Sequence, residues 1–188
     1  MTSRTLTTEK IIQTAMSLIE AQKPLTFSNI SRALGTRSQA LYNYFPDVNA
    51  LSASINEAYN AGLVTELQQQ LLGLSGEEAI LKFAAVSRRY ALKHFKITQF
   101  VLAIPRELLN ENTEQATSSE RLKQILYQLL QTMNIDEQRR LSAARMIRNL
   151  IIGEVVNVGR GWFTTKTVTE EDSFKRMLLV ALHHLDEL

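Results

Sequence analysis

Residues 26–45 read Thr-Phe-Ser-Asn-Ile-Ser-Arg-Ala-Leu-Gly-Thr-Arg-Ser-Gln-Ala-Leu-Tyr-Asn-Tyr-Phe. Ile30, Ala33 and Leu34 recur at helical spacing and give a short helix, Ser28 to Leu34, its inner face. Leu41 and Phe45 do the same for a second helix running from Arg37 or Ser38 to Phe45. Between them Gly35 supplies the positive φ that a sharp turn of about four residues wants. Two such helices across such a turn are helix-turn-helix geometry, in which the second helix enters the DNA major groove and the first crosses the backbone. The outward positions of the second helix are Arg37, Ser38, Gln39, Tyr42, Asn43 and Tyr44, none of them acidic. Arginine pairs bidentately with guanine, and glutamine or asparagine with adenine. Tyrosine and serine hydroxyls suit phosphate oxygens. Short polar helices between turns are also common in proteins that never touch DNA, so spacing alone leaves both readings open.

On either side the periodicity stays helical. Thr8 and Glu9 open a first helix with Ile11, Ile12, Ala15, Met16 and Ile19 on one face, and Lys23-Pro24 is expected to end it. Phe45-Pro46-Asp47 stops the third helix, and a long fourth follows from about Val48 to Leu72, broken by Gly73-Leu-Ser-Gly76. A fifth covers Glu77 to His94, and a short segment from Ile97 to Ile104 ends at Pro105. The polar stretch Asn110 to Ser119 reads as a flexible loop before a helix marked by Leu122, Ile125, Leu126, Leu129, Leu130 and Met133. Asp136 to about Val158 and Glu170 to Leu185 complete the set. Nothing alternates with period two and no Asn-Gly or Asp-Gly hairpin turn occurs. The expected fold is all-α, with about nine helices: a three-helix head over residues 1–47 and a helical body over 48–188.

Composition narrows the class. The chain has 188 residues, 45% hydrophobic and 21% charged, as in an ordinary globular protein. No apolar run approaches the roughly 20 residues a membrane-spanning helix needs, and the N-terminus lacks a signal-peptide pattern. The absence of cysteine removes disulfides and thiolate metal sites and fits a cytoplasmic protein. The net charge of +2 argues little by itself. Its distribution says more: residues 1–50 hold five basic side chains (Arg4, Lys10, Lys23, Arg32, Arg37) against three acidic ones (Glu9, Glu20, Asp47), while the remainder is balanced.

The string Leu34-Gly35-Thr36-Arg37-Ser38-Gln39-Ala40-Leu41-Tyr42-Asn43-Tyr44-Phe45 resembles the signature of the tetracycline-repressor (TetR) family, an Ala/Leu-Gly turn followed by Leu-Tyr-x-(His/Tyr)-Phe. The opening helix, the Thr26-to-Ile30 spacing and the long fourth helix extend the likeness over residues 8–60. The resemblance implies a homodimeric regulator whose head binds double-stranded DNA at a palindrome. Carried over by position, Thr26 and Ser28 contact phosphate. Arg37, Ser38, Gln39 and Asn43 face the groove, with Arg37 and Gln39 reading bases, and Tyr42 and Tyr44 anchor the backbone. Thr36 and Ser31 depart from the family's usual apolar residue and alanine. Val48 stands where many members carry a phosphate-contacting lysine, a loss that either weakens binding or passes the contact to Asn49.

The body is less telling. Arg88 to Phe95 resembles the fifth helix of a subgroup named for a Trp-His-Gly motif, of which Gly153 survives, preceded by Ile151 and Ile152. Phe174, Met177, Leu178, Ala181, Leu182 and Leu185 form a full apolar stripe. With Ile151 and Val155 of the preceding helix they suit a two-fold, four-helix dimer interface, the alternative being a core pair within one subunit. A pocket for an apolar or aromatic effector is expected between helices five and eight, with Tyr90, Phe100, Tyr127, Arg145, Asn149 and Trp162 as candidates. Arg145 and Arg148 have Glu154, or a partner subunit, as candidate ion-pair partners.

An enzyme is disfavoured. No Gly-rich phosphate loop or His-Glu-x-x-His motif occurs, no cofactor or metal is implied, and His94, His183 and His184 all lie near helix C-termini, where a cation is favourable. The remaining rival is a helical protein-interaction module that kept this fold without reading DNA.

Overall fold

Threonine and aspartate side chains set most of the helix starts. In the computed structural model, Thr7 Oγ1 accepts a hydrogen bond from the Lys10 amide at the start of α1 (Thr8–Glu20). Thr26 does the same for α2 (Phe27–Leu34), and Asp47 Oδ1 accepts from the Ala50 amide at the start of α4 (Val48–Gln70). Thr117 and Glu120 close a reciprocal capping box on α7 (Ser118–Gln131). Asp136 caps α8 (Glu137–Gly159) and Thr169 caps α9 (Glu170–His183). Each threonine cap satisfies an amide the helix leaves unpaired and contributes about 1 kcal/mol. The others are α3 (Ser38–Leu41), α5 (Gly76–Lys93) and α6 (Phe95–Leu102). The structure describes residues 6–109, 117–165 and 167–188, and among them there are nine α-helices, two 3₁₀ turns and no strand.

Three local expectations are corrected. α1 stops at Glu20, before Lys23-Pro24. Gln22 adopts φ 53°, the Gln22 amide bonds Ile19 O, and the Lys23 amide bonds Leu18 O. That is a Schellman stop with glutamine in the position glycine usually takes. α3 is four residues long, and the chain to Phe45 continues as turns, with the Tyr44 and Phe45 amides both bonded to Leu41 O. The expected loop Asn110 to Ser119 lies outside the described residues up to 116, while Ser118 and Ser119 already belong to α7.

The described chain packs as two compact units, and the division falls inside α4. One unit comprises Met1–Asn60 with Lys96–Gln115, the other Ala61–Phe95 with Ala116–Leu188. In the first, Ile11, Ala15, Phe27, Ile30, Leu41, Phe45, Leu51 and Ile55 are buried. Tyr59 of α4 and Thr98 of α6, both buried, share a 2.7 Å hydrogen bond.

The second unit has one continuous apolar core. Leu63 and Leu67 from α4, Ile80, Phe83 and Ala84 from α5, Leu126 and Leu130 from α7, and the inner faces of α8 and α9 build it. Removing roughly 1.5–3 kcal/mol worth of apolar surface from water per large side chain makes this core the unit's principal stabilising term. It also absorbs most of the residues expected between subunits. Ile151, Val155, Phe174, Leu178, Leu182 and Leu185 are each no more than 9% exposed within the single chain. They have little surface left for a partner. Met177, at 42%, and Ala181 keep some.

Candidate nucleic-acid interface

The α2–turn–α3 corner is fixed by short-range bonds. Gly35 sits at φ 67°, the left-handed region, and lets the Gly35 amide reach Arg32 O and the Thr36 amide reach Ser31 O. A β-carbon at Gly35 would meet nothing nearby, so glycine is there for its backbone angle and not for space. Asn29 braces the corner from outside, its Nδ2 donating to Pro24 O and its Oδ1 accepting from Arg32. Phe27 is buried, and the Tyr42 ring meets it edge-on at 4.9 Å.

What remains outside over residues 26–46 is largely polar and carries no carboxylate. Arg37, Gln39 and Asn43 are exposed, and no acidic side chain pairs with Arg37 among the described residues. Thr26, Ser28 and Asn49 are exposed as well, and Tyr42 is 53% exposed. Thr36 is half-buried.

Two of the assigned contacts are corrected. Ser38 is half-buried with its hydroxyl 3.0 Å from the Ser31 hydroxyl, so it ties α3 to α2. Tyr44 donates its hydroxyl proton to Leu6 O at 2.7 Å, which holds the segment before α1 and leaves no proton for a phosphate. Both residues are polar and near the turn, which is why sequence alone places them on the DNA side. Arg32, exposed at the end of α2, adds a cation that the periodicity reading passed over. Its signal was its place in the small basic excess of residues 1–50.

The six candidate effector contacts do not converge. Arg145 and Asn149 lie together in a shallow open groove along one face of α8, with Ser142, Met146 and Leu150. Phe100 belongs to the other unit, in an open groove with Ile19, Pro24 and Leu25. Tyr127 donates to the Glu137 carboxylate under the Arg140 guanidinium. Trp162 is 71% exposed beyond α8. Tyr90 is half-buried against Gly62, and burial, with the Glu66 carboxylate adding to it, pushes its hydroxyl pKa up. Glu154 pairs with Arg88 rather than with Arg145 or Arg148.

The histidines sit where helix ends place them: His94 follows α5, His183 ends α9 beside Glu77, and His184 pairs with Glu187. No described helix is long and apolar enough to cross a membrane.

Comparison with solved structures is decisive for the architecture. A TetR regulator of Streptomyces coelicolor superposes with a TM-score of 0.75 at 16% identity, covering 98% of this chain and 99% of that one. The chain has the TetR fold. A variant TetR of Acinetobacter baumannii, solved with minocycline, gives a TM-score of 0.71 at 17% identity over 97% and 98% of the two chains. BioQ of Mycobacterium smegmatis gives 0.74 at 15% identity over 97% and 99%. No family model matches the sequence, and no curated protein does. Within the TetR fold, α2 and α3 form the helix-turn-helix corner.

Proposed function

We propose that this chain is a TetR-family transcriptional regulator: a cytoplasmic homodimer that represses by occupying a palindromic operator. The observation that carries the reading is the α2–Gly35–α3 corner, which turns Arg37, Gln39 and Asn43 outward on a stretch, residues 26–46, without a carboxylate. Arg37 and Gln39 read base edges. Thr26, Ser28, Tyr42 and Asn49 hold the phosphates on either side and set register. Counterion release at these contacts makes affinity fall steeply with salt.

A palindrome requires two heads about 34 Å apart, hence a dimer. The face that supports one is the outer side of α8, where Leu141 is 47% exposed and Arg145, Met146, Asn149 and Leu150 line an open groove. Met177 and Val180 of α9 are also exposed, at 42% and 61%. An effector held in the second unit lowers operator affinity by binding the two states of the dimer unequally. α4 runs through both units.

The test is selection of bound duplexes from random DNA, repeated with the Arg37→Ala/Tyr42→Ala double variant and across a salt series. A palindrome that the double variant no longer recovers supports the reading. Weak, sequence-blind binding untouched by both substitutions overturns it in favour of a protein-interaction module.

A further inference from the structure

A groove of about 410 Å³ lies within the first unit, between the end of α1 and α6. That volume is in the range of small-molecule sites. Ile19, Leu25 and Phe100 supply apolar surface to it. Its other long side chains all end in nitrogen-bearing groups: Gln22 and Lys23 after α1, Lys96 and Gln99 on α6. Two ammonium groups thus share one groove, and no carboxylate lines it.

The backbone marks the same place. Gln22 holds φ 53°, the left-handed region that glycine enters freely and glutamine only at a cost. α2 stops with a glycine, Gly35, in that conformation. A glycine at position 22 would end α1 without strain, but it would take an amide away from the groove. Strained residues of this kind cluster where a ligand is held.

We propose that this groove binds an organic anion with an apolar body, a medium-chain carboxylate. The ammonium groups of Lys23 and Lys96 take the carboxylate in charge-assisted bonds, and Gln22 and Gln99 donate amide N–H to it. The hydrocarbon lies against Ile19, Leu25 and Phe100, out of water. An amine in the same place would meet two like charges. Pro24 also lines the groove, and its carbonyl accepts from Asn29 Nδ2 at 2.8 Å. An occupant therefore rests against the brace of the α2–α3 corner. An effect on operator affinity depends on the regulator reading, whereas binding itself does not.

The experiment is calorimetric titration of the full chain, without DNA, with decanoate and separately with decylamine, both below their micellar concentrations. Decanoate is expected to bind at least tenfold more tightly than the amine. Lys23→Ala/Lys96→Ala should weaken decanoate at least tenfold, and Lys23→Glu/Lys96→Glu should reverse the preference. Gln22→Gly, which releases the backbone strain and so keeps the fold, should weaken decanoate several-fold. Circular dichroism establishes that each variant is folded. Equal binding of acid and amine, no binding of either, or undiminished decanoate affinity in both Lys23→Ala/Lys96→Ala and Gln22→Gly would overturn the proposal. Because no DNA is present, this result and the operator selection fail independently.

Discussion

The hydroxyls of Ser31 on α2 and Ser38 on the first turn of α3 lie 3.0 Å apart, and Ser31 also donates to Ser28 O at 3.0 Å. A pair of small polar side chains thus joins the two helices of the corner from within. The pair explains why Ser31 can occupy a packing position where the related family usually has alanine: its hydroxyl is satisfied twice. A double-mutant cycle of Ser31→Ala and Ser38→Ala should give a coupling of about 0.5–1.5 kcal/mol in urea unfolding. Strictly additive effects would mean that the two hydroxyls ignore each other.

Arg37 and Ser38 are neighbours with opposite expected behaviour toward DNA. Arg37→Ala should weaken operator binding by about 1–3 kcal/mol and relax the base preference at one position. Ser38→Ala should act mainly through stability, with the base preference unchanged. Quantitative gel-shift titrations with single-base operator variants separate the two. Identical losses for both would remove Arg37 from base readout.

Gly62 on α4 makes room for Tyr90 on α5: a β-carbon there would sit 2.4 Å from the Tyr90 hydroxyl oxygen but 3.4 Å from the ring carbon bearing it. Helix propensity favours alanine over glycine by about 1 kcal/mol, while the clash costs about 1–3 kcal/mol. Gly62→Ala should therefore destabilise the wild-type chain and stabilise a Tyr90→Phe chain. That reversal of sign, read as the change in Tm, is the check. The same sign in both backgrounds would contradict the packing described.

Asp136 caps α8, and the backbone amide of Arg139, with a smaller contribution from the Arg139 guanidinium, holds its carboxyl below the ordinary value. A folded-state value below the unfolded one means stability that is present above the ordinary carboxylate range and is lost as pH falls through the lowered value. Asp136→Asn removes that titration while leaving a side chain able to cap. The Tm advantage of wild type over Asp136→Asn should shrink as pH is taken from 7 toward 3. An advantage independent of pH would mean that the charge contributes nothing.

The outer face of α8 can be separated from its inner one. Leu141→Glu, on the exposed side of α8, should yield a folded monomer in sedimentation experiments, with operator affinity lost. Leu178→Ala, in the core, should instead cost about 2–5 kcal/mol of stability. A Leu141→Glu chain that remains dimeric would move the subunit contact elsewhere.

Much of this was legible along the chain because it depends on neighbours in sequence. Helix period and the left-handed turn at Gly35 are decided by residues within about five positions of one another, so the all-α fold and the helix-turn-helix corner follow from local pattern. The exposure of Gln39 and Asn43 follows too, because positions two away from Leu41 point away from the core, and Arg37 is exposed as the extended N-cap before α3.

Only the tertiary structure decided which partner each ambiguous side chain takes. Phe174, Leu178 and Leu182 form a stripe whose spacing says that something covers it, and packing assigns that role to their own subunit. Tyr44 and Ser38 are polar in sequence, yet their hydroxyls are spent on Leu6 O and Ser31. Glu154 finds Arg88, 66 positions away, rather than the arginines on its own helix. Periodicity fixes the direction in which a side chain leaves its helix, but the energy of a contact depends on what stands opposite. Across such distances along the chain, that is settled only when the helices pack.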